Sequence, residues 1–149
     1  MKRKLKIVGF VFLGLLVAFQ FYQPARNMDS EQSGEADFIQ VYQPPKDVQR
    51  ILQNSCYNCH SNNTRYEWYN YIQPVRTVVE YHIKSAKGDL NFSDWAGYSD
   101  RKKKRLLQSI ANQVEQDKMP LPSYLLLHPY AKLTKDEKQM LISWIENQE

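Results

Sequence analysis

Cys56-Tyr57-Asn58-Cys59-His60 is the stretch on which the reading of this chain turns. Cysteines at i and i+3 followed at once by histidine form a C-x-x-C-H motif, the pattern of covalent c-type haem attachment. The spacing has a physical reason. Thiols one helical turn apart lie on one face, where each adds across a haem vinyl group to give a thioether. The next residue then brings an imidazole to the iron as its proximal ligand. Cys56 and Cys59 are accordingly read as the attachment sites of one haem c, and His60 as its proximal ligand. The chain has two cysteines in all, both spent in this motif, so it has no disulfide scaffold. Two other chemistries use C-x-x-C. A thiol–disulfide active site places it at a helix start just after a strand, whereas the residues before Cys56 read as a helix opened by Pro44-Pro45. A zinc site needs four ligands. His82 and His128 would have to join the cysteines, and no second paired motif supplies them.

Outward from the motif, apolar residues recur with the helical period. Val48, Ile51, Leu52 and Cys56 share one face. Behind Pro74, an expected first helical residue, Val75, Val78, Val79, His82, Ile83 and Ala86 form a stripe that Gly88 ends. Ser99 caps a helix with the face Leu106, Leu107, Ile110 and Val114. Thr134-x-x-Glu137 is a capping box before Met140, Leu141, Trp144 and Ile145. No segment alternates with period two long enough to be a strand, so the expected fold is all-α, four main helices joined by long loops. One loop carries Tyr66, Trp68, Tyr69 and Tyr71, and another Pro120, Pro122 and Pro129. Four short helices bury a thin core, and a large apolar cofactor wrapped by such loops would complete it.

The 149 residues allow one ordinary domain. The net charge of +4 comes from 20 Lys and Arg against 16 Asp and Glu. Lys2, Arg3, Lys4 and Lys6 account for the whole excess, so the rest of the chain is balanced and lacks the field a nucleic-acid binder needs. Residues 7–19 carry no charged side chain, and a helix over residues 5–22 would be about 27 Å long, close to the hydrocarbon thickness. Cations before it and acids after it predict a single-pass helix with its N-terminus in the cytoplasm. The organisation expected is a signal-anchor transmembrane helix over 1–23, a flexible tether over 24–37 and a haem-binding domain over 38–149. The domain would then lie on the periplasmic side of a bacterial cytoplasmic membrane. A cleaved signal peptide is the alternative, but the exit Phe19-Gln20-Phe21-Tyr22-Gln23 lacks the small residues of a cleavage site.

A six-coordinate iron needs a second axial ligand. Met119, in Lys118-Met119-Pro120-Leu121-Pro122, stands in a loop that Pro120 stiffens. His82, on its apolar stripe, is the alternative distal ligand or else a core histidine. His128 reads as a loop-packing residue and Met140 as core. Helix, C-x-x-C-H, loop, Met-Pro and C-terminal helix follow the order of parts in cytochrome c. The chain resembles more closely the bacterial haem-binding domain family of small membrane-anchored proteins. That likeness rests on Cys56 to Ser61, Thr64-Arg65, Trp68-Tyr69, Pro74, His82-Ile83, Gly88, Leu90-Asn91-Phe92-Ser93, Trp95, Met119-Pro120-Leu121 and Leu127-His128-Pro129. Glu67 departs from the proline usual before that tryptophan. The resemblance implies a monohaem, cytochrome-c-like fold.

Arg65, Asn91 and Trp95 are the side chains expected to hold the haem propionates, because carboxylates near an interior require donors. The run Arg101-Lys102-Lys103-Lys104-Arg105 is a solvated helix start or a docking patch for an acidic redox partner or for anionic lipid. The expected function is one-electron transfer with redox partner proteins near the membrane, without nucleic acid and without catalysis. A haem-based sensor of small ligands, or a peroxidase-like enzyme, would need an open iron position.

Overall fold

Helices form where the apolar spacing places them. The computed structural model describes residues 2–29 and 34–148. Its α-helices are α1 (Lys2–Phe19), α2 (Phe38–Tyr42), α3 (Lys46–Ser55), α4 (Tyr57–His60), α5 (Val75–Asp89), α6 (Asp100–Glu115), α7 (Pro122–Leu125) and α8 (Lys135–Glu146). Tighter 3-10 turns cover Trp68–Tyr71, Phe92–Gly97 and Pro129–Ala131. Among the described residues there is no strand, only an isolated antiparallel bridge between Met28 and Asn63.

The caps follow the residue types. The Ser99 side chain accepts from the Lys102 N–H at the start of α6. Thr134 and Glu137 satisfy each other's backbone donors in a reciprocal capping box at the start of α8. Pro74 is the N-cap of α5 rather than its first helical residue, and that helix runs one residue past Gly88.

The core lies where α8 packs across α6 and α3, with α2 laid against the Phe92–Gly97 turn. Its aliphatic part is Val48, Ile51, Leu52, Leu106, Leu107, Ile110, Val114, Leu141 and Ile145. Phe38 is fully enclosed by aromatic edges, with ring centroids 4.7 Å from Trp95, 5.0 Å from Phe92 and 5.9 Å from Trp144. Each such edge contact adds about 0.5–1.5 kcal/mol beyond area burial.

The stripe expected on α5 is buried differently. Val75, Val78 and His82 are exposed, Ile83 is buried, and Arg76 is drawn inside. Arg76 ion-pairs with Glu80 at 3.4 Å, donates to the Pro24 carbonyl and stands 5.4 Å from the Tyr66 ring centroid. Those partners offset the cost of bringing a guanidinium inside.

The N-terminal segment corrects the transmembrane expectation. The helix forms, but no helix among the described residues is long and apolar enough to cross a membrane. Lys2, Arg3, Lys4 and Lys6 occupy the first turns of α1. The uncharged part, residues 7–19, rises only about 20 Å against a hydrocarbon layer of about 30 Å. The single-pass anchor is therefore not supported. The placement in a cytoplasmic membrane, with the domain on its periplasmic side, falls with it. After Phe19 the chain turns onto the domain, where Gln20 exchanges hydrogen bonds with the Gln73 backbone and Gln73 Nε2 donates to the Tyr22 carbonyl. Within the segment 24–37, residues 30–33 lie outside the described residues. Asn27 is fastened on three sides, donating to Ser61 O and Thr64 Oγ1 and accepting from Lys87 Nζ.

Candidate haem site

The C-x-x-C-H motif sits where α3 ends. Cys56 is at once the C-cap of α3 and the N-cap of the single turn α4, and its carbonyl accepts from the N–H groups of Cys59 and His60. Tyr57 locks this turn to the core. Its ring stacks on Phe92 at 4.9 Å, and its hydroxyl donates to Asp37 Oδ1 at 2.9 Å. Asn58 ties the other side, accepting from the Arg65 N–H through its side chain and from Thr64 Oγ1 through its carbonyl.

His60 is oriented by backbone. Its Nδ1 lies 3.1 Å from the Ala86 carbonyl and 3.0 Å from the Leu90 carbonyl. Carbonyls only accept, so Nδ1 carries the proton and Nε2 keeps its lone pair, the arrangement that a metal-ligating histidine needs. Burial pulls the His60 pKa below its ordinary value, with the two carbonyls pulling partly back, so the ring is neutral at pH 7.

A cavity of about 600 Å³ opens beside it. Phe92, Leu106, Ile110 and Val114 wall it, Cys56, His60 and Met119 face into it, and Arg105, Ser109 and Gln113 add polar groups. Its size falls within the roughly 300–1,000 Å³ of sites for small organic ligands. Met119 is held from α6, since the Gln113 carbonyl accepts from both the Lys118 and Met119 N–H groups, and Pro120 behind it is buried.

The structure thus brings His60, Cys56 and Met119 to one space. Cys59, Arg65 and His82 line a second cavity on the other side of the motif. The Arg65 head is 80% exposed and paired with Glu67 at 3.2 Å. Asn91 is buried but occupied, donating to Asn62 and Asp94 and capping the turn at Ser93. Trp95 is fully buried among Phe38, Tyr42 and Tyr98. Neither Asn91 nor Trp95 lines the large cavity. His128 is spent internally, with Nδ1 against the Tyr124 carbonyl and Nε2 accepting from the Tyr69 hydroxyl at 2.7 Å. Met140 is partly exposed on α8. Sequence reasoning missed Arg105 as a lining residue. The only signal was its place one residue before the apolar pair Leu106-Leu107.

The cysteine chemistry separates the rival motifs. Burial pushes the Cys56 thiol up to about 12, with Cys59 as a lesser cause, and pushes Cys59 up to about 11. A thiol–disulfide centre needs the opposite shift. Among the described residues no three or more His, Cys, Asp or Glu stand together to hold a bare metal ion.

An all-helical domain with a neutral, backbone-oriented histidine at the mouth of a large apolar cavity is the class of a haem-binding protein. The sequence pattern of the haem-binding domain family matches residues 14–147, and the chain belongs to that family. No curated protein and no solved structure matches it.

Asp37 carries a pH dependence into this region. It is 1% exposed, its Oδ1 accepts from Ile39 N and Tyr57 OH, and its Oδ2 has no partner. Burial raises its pKa above the ordinary carboxylate value, and the bonds from Tyr57, Ile39 and Gln40 offset only part of that. The folded state therefore binds the proton more tightly than the unfolded chain. Stability is greatest below the unfolded pKa of about 3.9 and declines as pH rises through the window up to the raised value. Asp37→Asn keeps the acceptor for both donors and removes the charge. Denaturant midpoints near pH 4 and near neutrality should lose this contribution to their difference, and the variant should be at least as stable as the parent at neutral pH.

Proposed function

We propose that this chain holds one haem c, joined through Cys56 and Cys59 with His60 and Met119 as axial ligands, and carries single electrons rather than catalysing a reaction. The observation that carries the reading is the convergence of Cys56, His60 with its free Nε2, and Met119 on one cavity. Haem bound here supplies a one-electron couple at iron and a potential set by its ligands and surroundings.

The chain's own residues do the rest. The carbonyls of Ala86 and Leu90 hold the His60 ring in its ligating tautomer. Phe92, Leu106, Ile110 and Val114 exclude water, which favours the less charged oxidation state. Arg105 and Ser109 offer donors for a carboxylate at the cavity mouth. Met119 as a second iron ligand would leave no position open on the metal, which disfavours ligand sensing and peroxidase chemistry. Arg105, which shares this cavity with Asp89, also ends the basic run that opens α6, and that run suits an acidic redox partner protein.

Redox titration of the haem-loaded protein should show one reversible one-electron wave. Two waves, or none, would overturn the single-haem carrier. Raising salt should slow electron exchange with an acidic partner and leave the wave itself in place.

A further inference from the structure

Asp37 is the only buried carboxylate among the described residues. It stands before α2 as its N-cap, with Oδ1 accepting from Ile39 N and the Tyr57 hydroxyl, and Oδ2 enclosed without a partner. Tyr57 ties this carboxylate to the haem motif. It follows Cys56 directly, and its ring stacks on Phe92. Phe92 in turn walls the large cavity, with its ring 6.2 Å from that of His60. One tyrosine side chain thus separates a buried carboxylate from the backbone that carries the cysteines.

No cation on the elements that meet Asp37 answers its charge. α2 has no charged side chain. From α4 come Tyr57 and the neutral His60. Burial first, and then the Asp37 charge itself, push the Tyr57 hydroxyl well above its ordinary value, so it stays a donor. The Phe92–Gly97 turn brings Asp94, which accepts from Asn91. α8 meets the neighbouring Phe38 through the uncharged Trp144. Glu35, two residues back, is exposed, as are Asp89 and Arg105 at the large cavity. Water and salt screen exposed charges strongly and a buried one much less, so Asp37 is the carboxylate whose field carries furthest into the motif.

On the reading that one haem c is joined to this motif, we propose that Asp37 is a potential-setting residue: reduction of the iron is coupled to proton uptake by its carboxylate across Tyr57. The iron gains one electron from the donor, and the carboxylate gains one proton from solvent to become a neutral acid, so the pair of events adds no net charge. An added electron disfavours a second negative charge nearby, so Asp37 holds its proton more tightly in the reduced protein. The potential is therefore highest at low pH, where Asp37 is protonated in both states. It falls as pH rises through the window between the oxidised and reduced pKa values, and is level again above it. Burial raises the Asp37 pKa, which carries this window above the ordinary carboxylate range.

The test measures the potential of the full, haem-loaded protein from about pH 4 to about pH 8. The parent should show a step equivalent to about a tenfold change in proton affinity, which is about 59 mV for one electron. Asp37→Asn keeps the acceptor for Tyr57 and should remove the step, leaving the potential near the parent's low-pH level. Tyr57→Phe removes a bond that lowers the Asp37 pKa, so it should keep the step and move it to higher pH. Infrared difference spectra within the window should show a carboxylic acid C=O band gained on reduction by the parent and absent from Asp37→Asn. A merely structural Asp37 would move neither the step nor the band. A flat parent potential, a step that survives Asp37→Asn, or the absence of the band would each overturn the coupling. If Asp37→Asn does not fold, the parent's band and the shifted step of Tyr57→Phe decide. A parent without any haem wave would fail the haem reading and this coupling with it, whereas a wave without the step fails the coupling alone.

Discussion

Cys56→Ala combined with Cys59→Ala should give a chain that loses its haem on denaturation and folds poorly without it. The first half follows from chemistry. Two thioethers survive denaturant, whereas iron–ligand bonds do not, so the parent protein should keep a haem-dependent stain on a denaturing gel and the double variant should not. The second half follows from volume. Without a cofactor, the space between His60 and α6 is a cavity of about 600 Å³ lined by Phe92, Leu106, Ile110 and Val114. At about 24 cal/mol per Å³ of unfilled core, a void of that size corresponds to roughly 14 kcal/mol as an upper bound. The whole folding free energy of a domain is about 5–15 kcal/mol. Circular dichroism of the double variant should show lost helix and an early, broad thermal transition. A well-folded, haem-free double variant would show that the helices pack without the cofactor. Haem that stays on the denatured double variant would refute attachment through these cysteines.

The parts of the fold that were legible are those with a periodic apolar face. α3 and α6 bury the apolar residues their spacing selects, α8 buries Leu141 and Ile145 of its stripe but leaves Met140 exposed, and the caps at Ser99 and Thr134 stand where side-chain oxygens precede the runs. The short α2, α4 and α7 span too few residues to show a period. α5 was legible as a helix but not as to which face is buried. Its valines border a small cavity and solvent, and Arg76 turns inward because Glu80 and the Pro24 carbonyl meet it there. Neither partner can be read from spacing on one helix. The N-terminal run misled because residues 5–22 were counted as one apolar length, although the helix ends at Phe19 and its first turns carry four cations.

At the site, the identity of the motif was legible and its setting was not. His60 is oriented by backbone carbonyls of Ala86 and Leu90, about thirty residues away, and a carbonyl has no sequence signature. Trp95 and Asn91 drew attention as polar-tipped residues suited to a buried cofactor. A sequence does not distinguish burial against a cofactor from burial in an aromatic cluster or in a capped turn, which is where these two lie. Arg105 was hidden inside a run of five cations, of which Lys102 covers the Tyr98 ring at 3.7 Å.

Met119→Ala should open the iron, and His82→Ala should not. Met119 lines the same cavity as His60, on a loop pinned by the Gln113 carbonyl and a buried Pro120. His82 lines the smaller cavity, is exposed on α5, and would need that helix to move to reach the other side of the motif. A thioether favours ferrous iron relative to a second imidazole, so its loss should lower the potential. Met119→Ala should also abolish the weak iron–sulfur absorption band of the oxidised protein and admit carbon monoxide to the reduced protein, which the parent should exclude. His82→Ala should leave band, potential and carbon monoxide exclusion unchanged. Because the side chain is exposed, its removal should alter stability by no more than about 0.5 kcal/mol. If Met119→Ala leaves the spectrum unchanged while His82→Ala opens the iron, the axial pair is two histidines, and α5 must lie closer to the haem face than it does here.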